Sequence, residues 1–147
     1  MKFSTKTRYG IRAMLEIALS ELENGIYQKE IAENQSISYK YLDHIISGLK
    51  VAGLIVKASG QRSGYILTRK PSEITVLDIH NAFEPGICVI DCLSVNTNCE
   101  RERYCAMHGF WGELNNIIID YFKSTTLQDL MDSQLKLNNL ELSVNNQ

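Results

Sequence analysis

Two short apolar patterns separated by three residues restrict the folds open to this chain of 147 residues. Residues 28–34 are predicted to form a short helix, and residues 35–37 a tight turn. Ser38 is placed to cap a second helix that runs to about Ala52. That helix has one apolar stripe, formed by Leu42, Ile45, Ile46 and Leu49. The spacing predicts a helix-turn-helix, whose second helix enters the DNA major groove by its first residues.

A β-hairpin is predicted directly after these helices. Residues 54–59 and 65–68 have strand composition, and the turn between them has glycine at both ends, Gly60 and Gly64. Helix-turn-helix followed by hairpin is the order of a winged helix, so we expect a mainly α fold with a small β-hairpin. The alternative is a plain helical hairpin with a solvated polar face.

The winged-helix interpretation assigns DNA contacts to named side chains. Lys40, Tyr41 and Asp43 are expected to face base edges or phosphates, with Asp43 accepting from a cytosine amino group or rejecting wrong bases. Arg62 at the hairpin tip is expected to contact phosphate or the minor groove, and Lys57 and Ser38 to hold the DNA backbone.

Three cysteines and a histidine lie within the polar segment of residues 92–108, at the spacing C-x6-C-x5-C-x2-H. Thiolate and neutral imidazole are ligands of iron–sulfur clusters and of zinc. We therefore expect Cys92, Cys99, Cys105 and His108 to hold an inorganic centre. Zinc remains an alternative, although zinc sites usually contain a closer cysteine pair. Unligated cysteines are the other alternative, and His108 could instead cap a helix or face solvent.

The remaining cysteine, Cys88, stands in the apolar run GICVIDC and is expected to be a buried thiol. Four clustered cysteines in a chain without a signal-peptide core or a membrane-spanning stretch predict a cytoplasmic protein with metal chemistry and no disulfide framework. Residues 1–80 carry a net charge of +3 and residues 81–147 a net charge of −5. This asymmetry permits DNA binding at the N-terminal half.

The flanking segments are predicted to be helical. Thr5 to Leu22 shows helical spacing of apolar residues, and so does Phe110 to Phe122. The apolar arc of the second helix is wider than one core requires, which favours a homodimer. Thr126 is expected to cap a short last helix, and residues 134–147 to form a polar, partly disordered tail.

Four motifs together resemble the Rrf2 family of bacterial winged-helix transcription regulators. They are SxKxRYGIRAMLEIA, IAENQSISYKYLDHIISGLKVAGLI, SGYILTRKPSEITVLDI, and the cysteine loop followed by WGEL and TLQDL, and they cover residues 1–133. The resemblance is greatest to the iron–sulfur regulators of the IscR group. It implies a 2Fe–2S cluster on Cys92, Cys99, Cys105 and His108, with 4Fe–4S or zinc as the other candidates.

Two departures from the IscR group bear on the site. The first gap between cysteines has six residues here and five in the group, and Ser59 stands where the group has an arginine in the wing. We expect Arg62 to take over that contact. Some nitric-oxide-sensing relatives, of the NsrR type, draw a carboxylate ligand from the first helix. Arg8 occupies that position here and cannot bind iron, which favours His108.

The resulting hypothesis divides the chain into a DNA-binding domain (1–83), a cluster loop (84–109), a dimerisation helix with a short terminal helix (110–133) and the tail. The candidate DNA-binding set is Ser38, Tyr39, Lys40, Tyr41, Asp43, His44, Lys57, Ser59 and Arg62. We expect a homodimeric regulator that binds double-stranded DNA at a pseudo-palindromic operator and senses iron–sulfur, redox or nitric oxide status. The alternative is a regulator of the same family with structural zinc or no metal, responding to another ligand or protein. The chain lacks the motifs of an enzyme.

Overall fold

The computed structural model describes residues 2–20 and 22–145. Six α-helices and one two-stranded sheet make up this part of the chain, with short 3₁₀ turns between them. The helices are α1 (Thr5–Leu19), α2 (Gln28–Gln35), α3 (Tyr39–Val51), α4 (Val76–Asn81), α5 (Ala106–Ser124) and α6 (Leu127–Asn145). The strands are β1 (Ile55–Lys57) and β2 (Tyr65–Leu67).

Helix α1 begins with a side-chain cap, because the Ser4 hydroxyl accepts a hydrogen bond from the Thr7 backbone N–H at 3.1 Å. The helix ends at Leu19, three residues before the predicted end, because the backbone of Ser20 is extended (φ −71°, ψ 119°). Of the predicted helix, Glu21 lies outside the described residues. The buried side of α1 packs on α3, α4 and α6, so this helix is central to the core.

The helix-turn-helix prediction is confirmed. Helix α2 ends in Ser36, whose left-handed backbone (φ 51°) reverses the chain before the buried Ile37. Ser38 caps α3 by accepting from the Tyr41 backbone N–H at 3.2 Å. The predicted apolar stripe of α3 is buried, with Leu42, Ile45, Ile46 and Leu49 in the core.

The wing is a short antiparallel hairpin, as predicted. Its second strand also pairs with the segment before α2, which the sequence did not predict. Lys57 pairs with Tyr65 and Ile55 with Leu67, and Tyr65 also bridges to Ile26, in the segment before α2. A β-carbon on Gly64 would lie 2.4 Å from the backbone of Ile26, so this close approach requires glycine. The wing is therefore fastened to the helix-turn-helix at its base.

The C-terminal helices are longer than predicted. Helix α5 begins at Ala106, and α6 runs to Asn145 in place of a short helix followed by a disordered tail. The polar composition suggested disorder, but the segment has no glycine or proline and its leucines keep helical spacing. Positions 146 and 147 of the predicted tail lie outside the described residues.

The start of α6 belongs to the core of the N-terminal half. Leu127 is fully buried, and its backbone N–H donates to the Ile74 carbonyl at 2.8 Å. Thr75 and Thr126 form an isolated β-bridge beside this contact. Within the described residues, no helix is long and apolar enough to cross a membrane.

Candidate DNA interface and metal centre

The first turn of α3 presents most of the predicted DNA-binding side chains to solvent. Ser38, Lys40, Asp43 and His44 are exposed, and 56% of Tyr39 is accessible. Because Ser38 caps the helix, the direction of this turn is fixed locally. In a helix-turn-helix protein the N-terminal residues of the second helix are the ones that reach base edges. Helix α3 has this arrangement and is called the reader helix below.

Tyr41 differs from the other members of this set because its ring faces the protein. The residue is half-buried, and its ring packs edge-on against Tyr9 with centroids 5.6 Å apart. The Arg12 guanidinium lies 5.3 Å from the centroid of the Tyr9 ring on α1. Tyr41 is therefore only partly accessible for the predicted contact with base edges or phosphates.

Asp43 is held by a residue of the preceding helix. The side-chain amide of Gln28 donates to Asp43 Oδ1 at 3.3 Å, and Gln28 is itself buried. Asp43 also affects the phenol of Tyr65 in β2. Partial burial raises the pKa of Tyr65 above its ordinary 10.0, and Tyr39 and Asp43 raise it further. Tyr39 and Asp43 on α3 thus act on a phenol of β2.

The predicted contacts of the wing are all on the surface. Lys57, Ser59 and Arg62 are exposed, while Ala58 between the first two points into the protein. The backbone carbonyl of Arg62 accepts a hydrogen bond from the Tyr27 hydroxyl at 3.0 Å. The tip of the wing is therefore held against the start of α2.

The three candidate cysteine ligands lie in the long connection between α4 and α5, and His108 lies in the first turn of α5. Cys92 is in a 3₁₀ turn that packs on α5, and Cys99 follows in an irregular stretch. Cys105 is the residue before α5, and its carbonyl accepts from the His108 backbone N–H at 3.1 Å. All four are half-buried, and the three cysteines are free thiols. Cys105 and His108 therefore share one helical turn.

The donor types suit an iron–sulfur cluster or zinc, but the structure does not gather them. Among residues 2–20 and 22–145, no three histidine, cysteine or acidic side chains come close enough to hold a metal ion. His108 Nε2 instead lies 3.8 Å from Glu102 Oε1. A centre on these ligands requires the exposed stretch between Cys92 and Cys105 to draw inward.

Cys88 does not have the predicted burial. Its side chain is exposed, and the thiol donates to the Ile90 carbonyl at 3.0 Å. The neighbouring Ile87 occupies the buried position of this apolar run. In an irregular segment the run alone does not decide which side chain turns inward, and this prediction was wrong.

Two residues that sequence analysis missed anchor the start of the loop. The side chain of Asn115 on α5 accepts from the Val89 N–H at 2.9 Å and donates to the Ile87 carbonyl at 3.1 Å. His80 on α4 is buried and bonds to the Thr7 hydroxyl (3.2 Å) and the Gly86 carbonyl (3.1 Å). Thr7 is 73 residues from His80, and Val89 and Ile87 are 26 and 28 residues from Asn115, so no local pattern could have identified these contacts.

Comparison with known proteins agrees with this architecture. A model of the Rrf2 family, described as iron-dependent transcriptional regulators, matches residues 3–133. Protein rrf2 of Nitratidesulfovibrio vulgaris is 37% identical over 89% of this chain and 87% of its own length. The HTH-type transcriptional regulator IscR of Pectobacterium atrosepticum is 30% identical over 94% of this chain and 84% of its own length.

A solved structure shows the same fold. CymR, the global cysteine regulator of B. subtilis, superposes with a TM-score of 0.74 at 31% identity, covering 90% of this chain and 98% of its own. The winged helix of residues 28–67 and the family match over residues 3–133 lead to the same conclusion. The chain belongs to the Rrf2 family of DNA-binding transcription regulators, which are not enzymes.

Proposed function

We propose that this protein is a homodimeric transcription regulator whose DNA binding is controlled by an iron–sulfur cluster of the 2Fe–2S type. Cys92, Cys99, Cys105 and His108 are the proposed ligands. The observation that carries the proposal is the placement of this donor set in a chain of the Rrf2 family: its four members are half-buried, and in sequence they run from the end of the winged helix to the first turn of α5. When bound, such a cluster supplies a redox centre that oxygen, nitric oxide or iron shortage can alter or remove.

The loop is well placed to influence the DNA-binding half. Its first residues are held by His80, which also bonds to Thr7 on α1, and by Asn115 on α5. Cys105, the last of the three cysteines, directly precedes α5. Drawing Cys92 and Cys99 toward Cys105 would therefore pull on segments that contact both α1 and α5. In the proposed homodimer, we expect this movement to change the tilt of one copy's reader helix relative to that of the other.

Exposed apolar side chains support the proposed homodimer. Helix α5 has no fully buried residue, and Phe110, Ile117 and Tyr121 are each more than half exposed. Along α6 the exposed leucines continue from Leu135 to Leu142. An isolated chain would leave this area in water, whereas a second copy would cover it and place two reader helices on one operator.

The proposed DNA contacts follow the accessible side chains. Lys40 and Asp43 on α3 are assigned to base edges or phosphates, with Tyr39 and His44 beside them. Ser38 and Lys57 are assigned to the DNA backbone. Arg62, with Ser59 in the wing, is assigned to phosphate or the minor groove. Tyr41 remains a proposed contact with base edges or phosphates, through its accessible part.

The test is anaerobic purification followed by iron, sulfide and zinc assays and a visible absorption spectrum. The expected result is a coloured protein with equal iron and sulfide that loses its visible bands in Cys92→Ser, Cys99→Ser and Cys105→Ser. Footprinting with and without the centre should then give different protected sites. Identical footprints would contradict control by the centre, and near-stoichiometric zinc without visible bands would contradict the cluster.

A second candidate function is favoured by the separation of the four donors in this structure. In that case the chain is a winged-helix regulator without a metal centre, and its signal is another ligand or a protein partner. Structural zinc is the other form of this candidate, but it needs the four donors grouped just as a cluster does. The similarity in fold to CymR, a cysteine regulator, is compatible with this candidate. A colourless protein that stays free of cluster after reconstitution and still protects DNA would favour it.

A further inference from the structure

Two adjacent residues at the start of α2 contact both parts of the proposed DNA-reading surface. Tyr27 donates its hydroxyl hydrogen to the Arg62 carbonyl at 3.0 Å, at the tip of the wing. Gln28 donates its amide hydrogen to Asp43 Oδ1 at 3.3 Å, on the reader helix. A single dipeptide thus links two surface elements that are separate in sequence.

Tyr27 occupies a position where its residue type is unusual. It is the N-cap of α2, a site that favours serine, threonine, aspartate or asparagine because their short side chains reach the first backbone N–H groups. The Tyr27 hydroxyl donates to the wing instead. The Glu30 carboxylate accepts a hydrogen bond from the Tyr27 backbone N–H at 2.9 Å. The capping role of this side chain is replaced by a contact to Arg62.

Gln28 is buried while the carboxylate that it holds is exposed. Only 8% of Gln28 is accessible, so its amide is fixed by packing, and Asp43 lies at the surface above it. The hydrogen bond restricts the rotation of the Asp43 carboxylate. A restricted acceptor loses less conformational freedom on binding a base, and its direction discriminates between correct and incorrect donors.

We propose that Tyr27 and Gln28 are positioning residues for DNA recognition: Tyr27 fixes the wing tip that carries Arg62, and Gln28 fixes the carboxylate of Asp43. The proposal rests on the proposed DNA contacts of those two residues. Neither positioning residue needs to touch DNA. Together they set the distance between the wing contact and the reader-helix contact.

The test for Tyr27 is a double-mutant cycle with Arg62 on the full-length protein. The probe is a fluorescent duplex selected from a random pool by the wild-type protein, and binding is measured over a range of salt concentrations. Tyr27→Phe keeps the ring and removes one hydrogen bond, so affinity should fall about fivefold. The affinity should fall less steeply with salt, as it should for Arg62→Ala. In the Arg62→Ala background, Tyr27→Phe should have no further effect.

The test for Gln28 measures which base each variant prefers at every position of the selected DNA sites, and compares it with the preference of the wild-type protein. Gln28→Met keeps the length of the side chain and removes its amide. Sites selected by this variant should show a weaker base preference at one base pair, and Asp43→Ala should weaken the preference at the same base pair. Gln128→Met is the matched control, because it removes a similar amide–carboxylate bond (to Asp132 Oδ1, 2.8 Å) on α6. The control should select the wild-type sites.

The outcomes separate this inference from the proposed function. If Arg62→Ala and Asp43→Ala leave DNA binding unchanged, the proposed DNA contacts themselves are wrong. If those variants have the expected effects but Tyr27→Phe and Gln28→Met behave like wild type, only the positioning roles are overturned. Additive losses in the cycle would also overturn the role of Tyr27, because they would show that it acts on DNA binding independently of Arg62. Thermal unfolding of Tyr27→Phe should stay close to wild type.

Discussion

Tyr65 lies where the wing, the reader helix and the segment before α2 meet. It pairs with Lys57 in the hairpin and bridges to Ile26, and its pKa is raised by burial and by the nearby Tyr39 and Asp43. The folded state therefore holds the phenol proton more tightly than the unfolded chain does. This contribution to stability is complete below pH 10 and is lost as the pH rises through the raised pKa.

The first prediction is that the free energy of unfolding declines above pH 10, and declines less in Tyr65→Phe. Urea unfolding at pH 8 to 9 and at pH 11 measures both proteins under the same conditions. The two proteins are identical at every other residue, so the difference between them reports Tyr65. Parallel curves for the two proteins would show that Tyr65 does not carry the effect.

Gly64 is the position where an added methyl group should do most damage to the wing. Its β-carbon would meet the Ile26 backbone at 2.4 Å, and backbone cannot move aside as a flexible side chain can. Gly64→Ala should therefore lower the free energy of unfolding by about 1–3 kcal/mol and loosen the wing. Hydrogen exchange of the Tyr65 amide, which bonds to the Ile26 carbonyl at 2.8 Å, measures the loosening.

Gly109→Ala is the control for this substitution. Gly109 lies in the first turn of α5, and nothing stands within 4 Å of an added β-carbon. Alanine favours helix over glycine by up to about 1 kcal/mol, so Gly109→Ala should be neutral or stabilising. Equal losses for the two variants would contradict the role assigned to the close approach at Gly64.

Two elements, α4 through His80 and α5 through Asn115, fasten the start of the connection between α4 and α5. Asn115→Ala removes two hydrogen bonds and leaves the Val89 N–H and the Ile87 carbonyl without that partner. We expect it to lower the free energy of unfolding by about 1–3 kcal/mol. It should also speed hydrogen exchange at Val89. Denaturant unfolding and exchange mass spectrometry check these two effects.

Asn116→Ala is the matched control, since the neighbouring asparagine is exposed on the same helix. Its free energy of unfolding should stay within about 0.5 kcal/mol of wild type. If Asn115→Ala is as mild as this control, the loop is not held by α5.

The elements themselves were predictable to different degrees. Helices α2 and α3 have clear caps and apolar spacing, so the reader unit could be identified from the sequence. Thr126 caps α6 as predicted, by accepting from the Asp129 backbone N–H, but the helix is longer than the short one expected because polar residues mask its leucine spacing. The contacts of Gln28, His80 and Asn115 join distant segments, and single-sequence patterns hold no information about such pairs. The grouping of the four proposed ligands remains a prediction.

For the whole molecule, the exposed side of α5 predicts self-association. Ile117 is 64% exposed in the single chain and lies in the middle of this side. If a second copy covers it, Ile117→Glu would bury a carboxylate without a partner, and the dimer dissociation constant should rise about 100-fold or more. Sedimentation velocity over a concentration series measures the change, and DNA affinity should fall with it.

Val51→Glu provides the comparison for Ile117→Glu. Val51 is 90% exposed at the end of α3, away from α5, so the same charge there should leave the sedimentation behaviour unchanged. A chain that sediments as a monomer at all concentrations, with or without Ile117→Glu, would contradict the homodimer.

The bridge between Thr75 and Thr126 closes the intervening chain into a ring. Backbone hydrogen bonds on both sides of the bridge, Val76 N–H to Thr125 (2.9 Å) and Leu127 N–H to Ile74, hold the two ends together. A single cut inside the ring, for example by trypsin after the exposed Arg101 or Arg103, would open the ring without separating its ends. The two fragments should therefore elute together on size exclusion and part only in denaturant. An uncut connection is then not required to hold the folded protein together, although the cut would leave Cys92 and Cys99 on one fragment and Cys105 and His108 on the other.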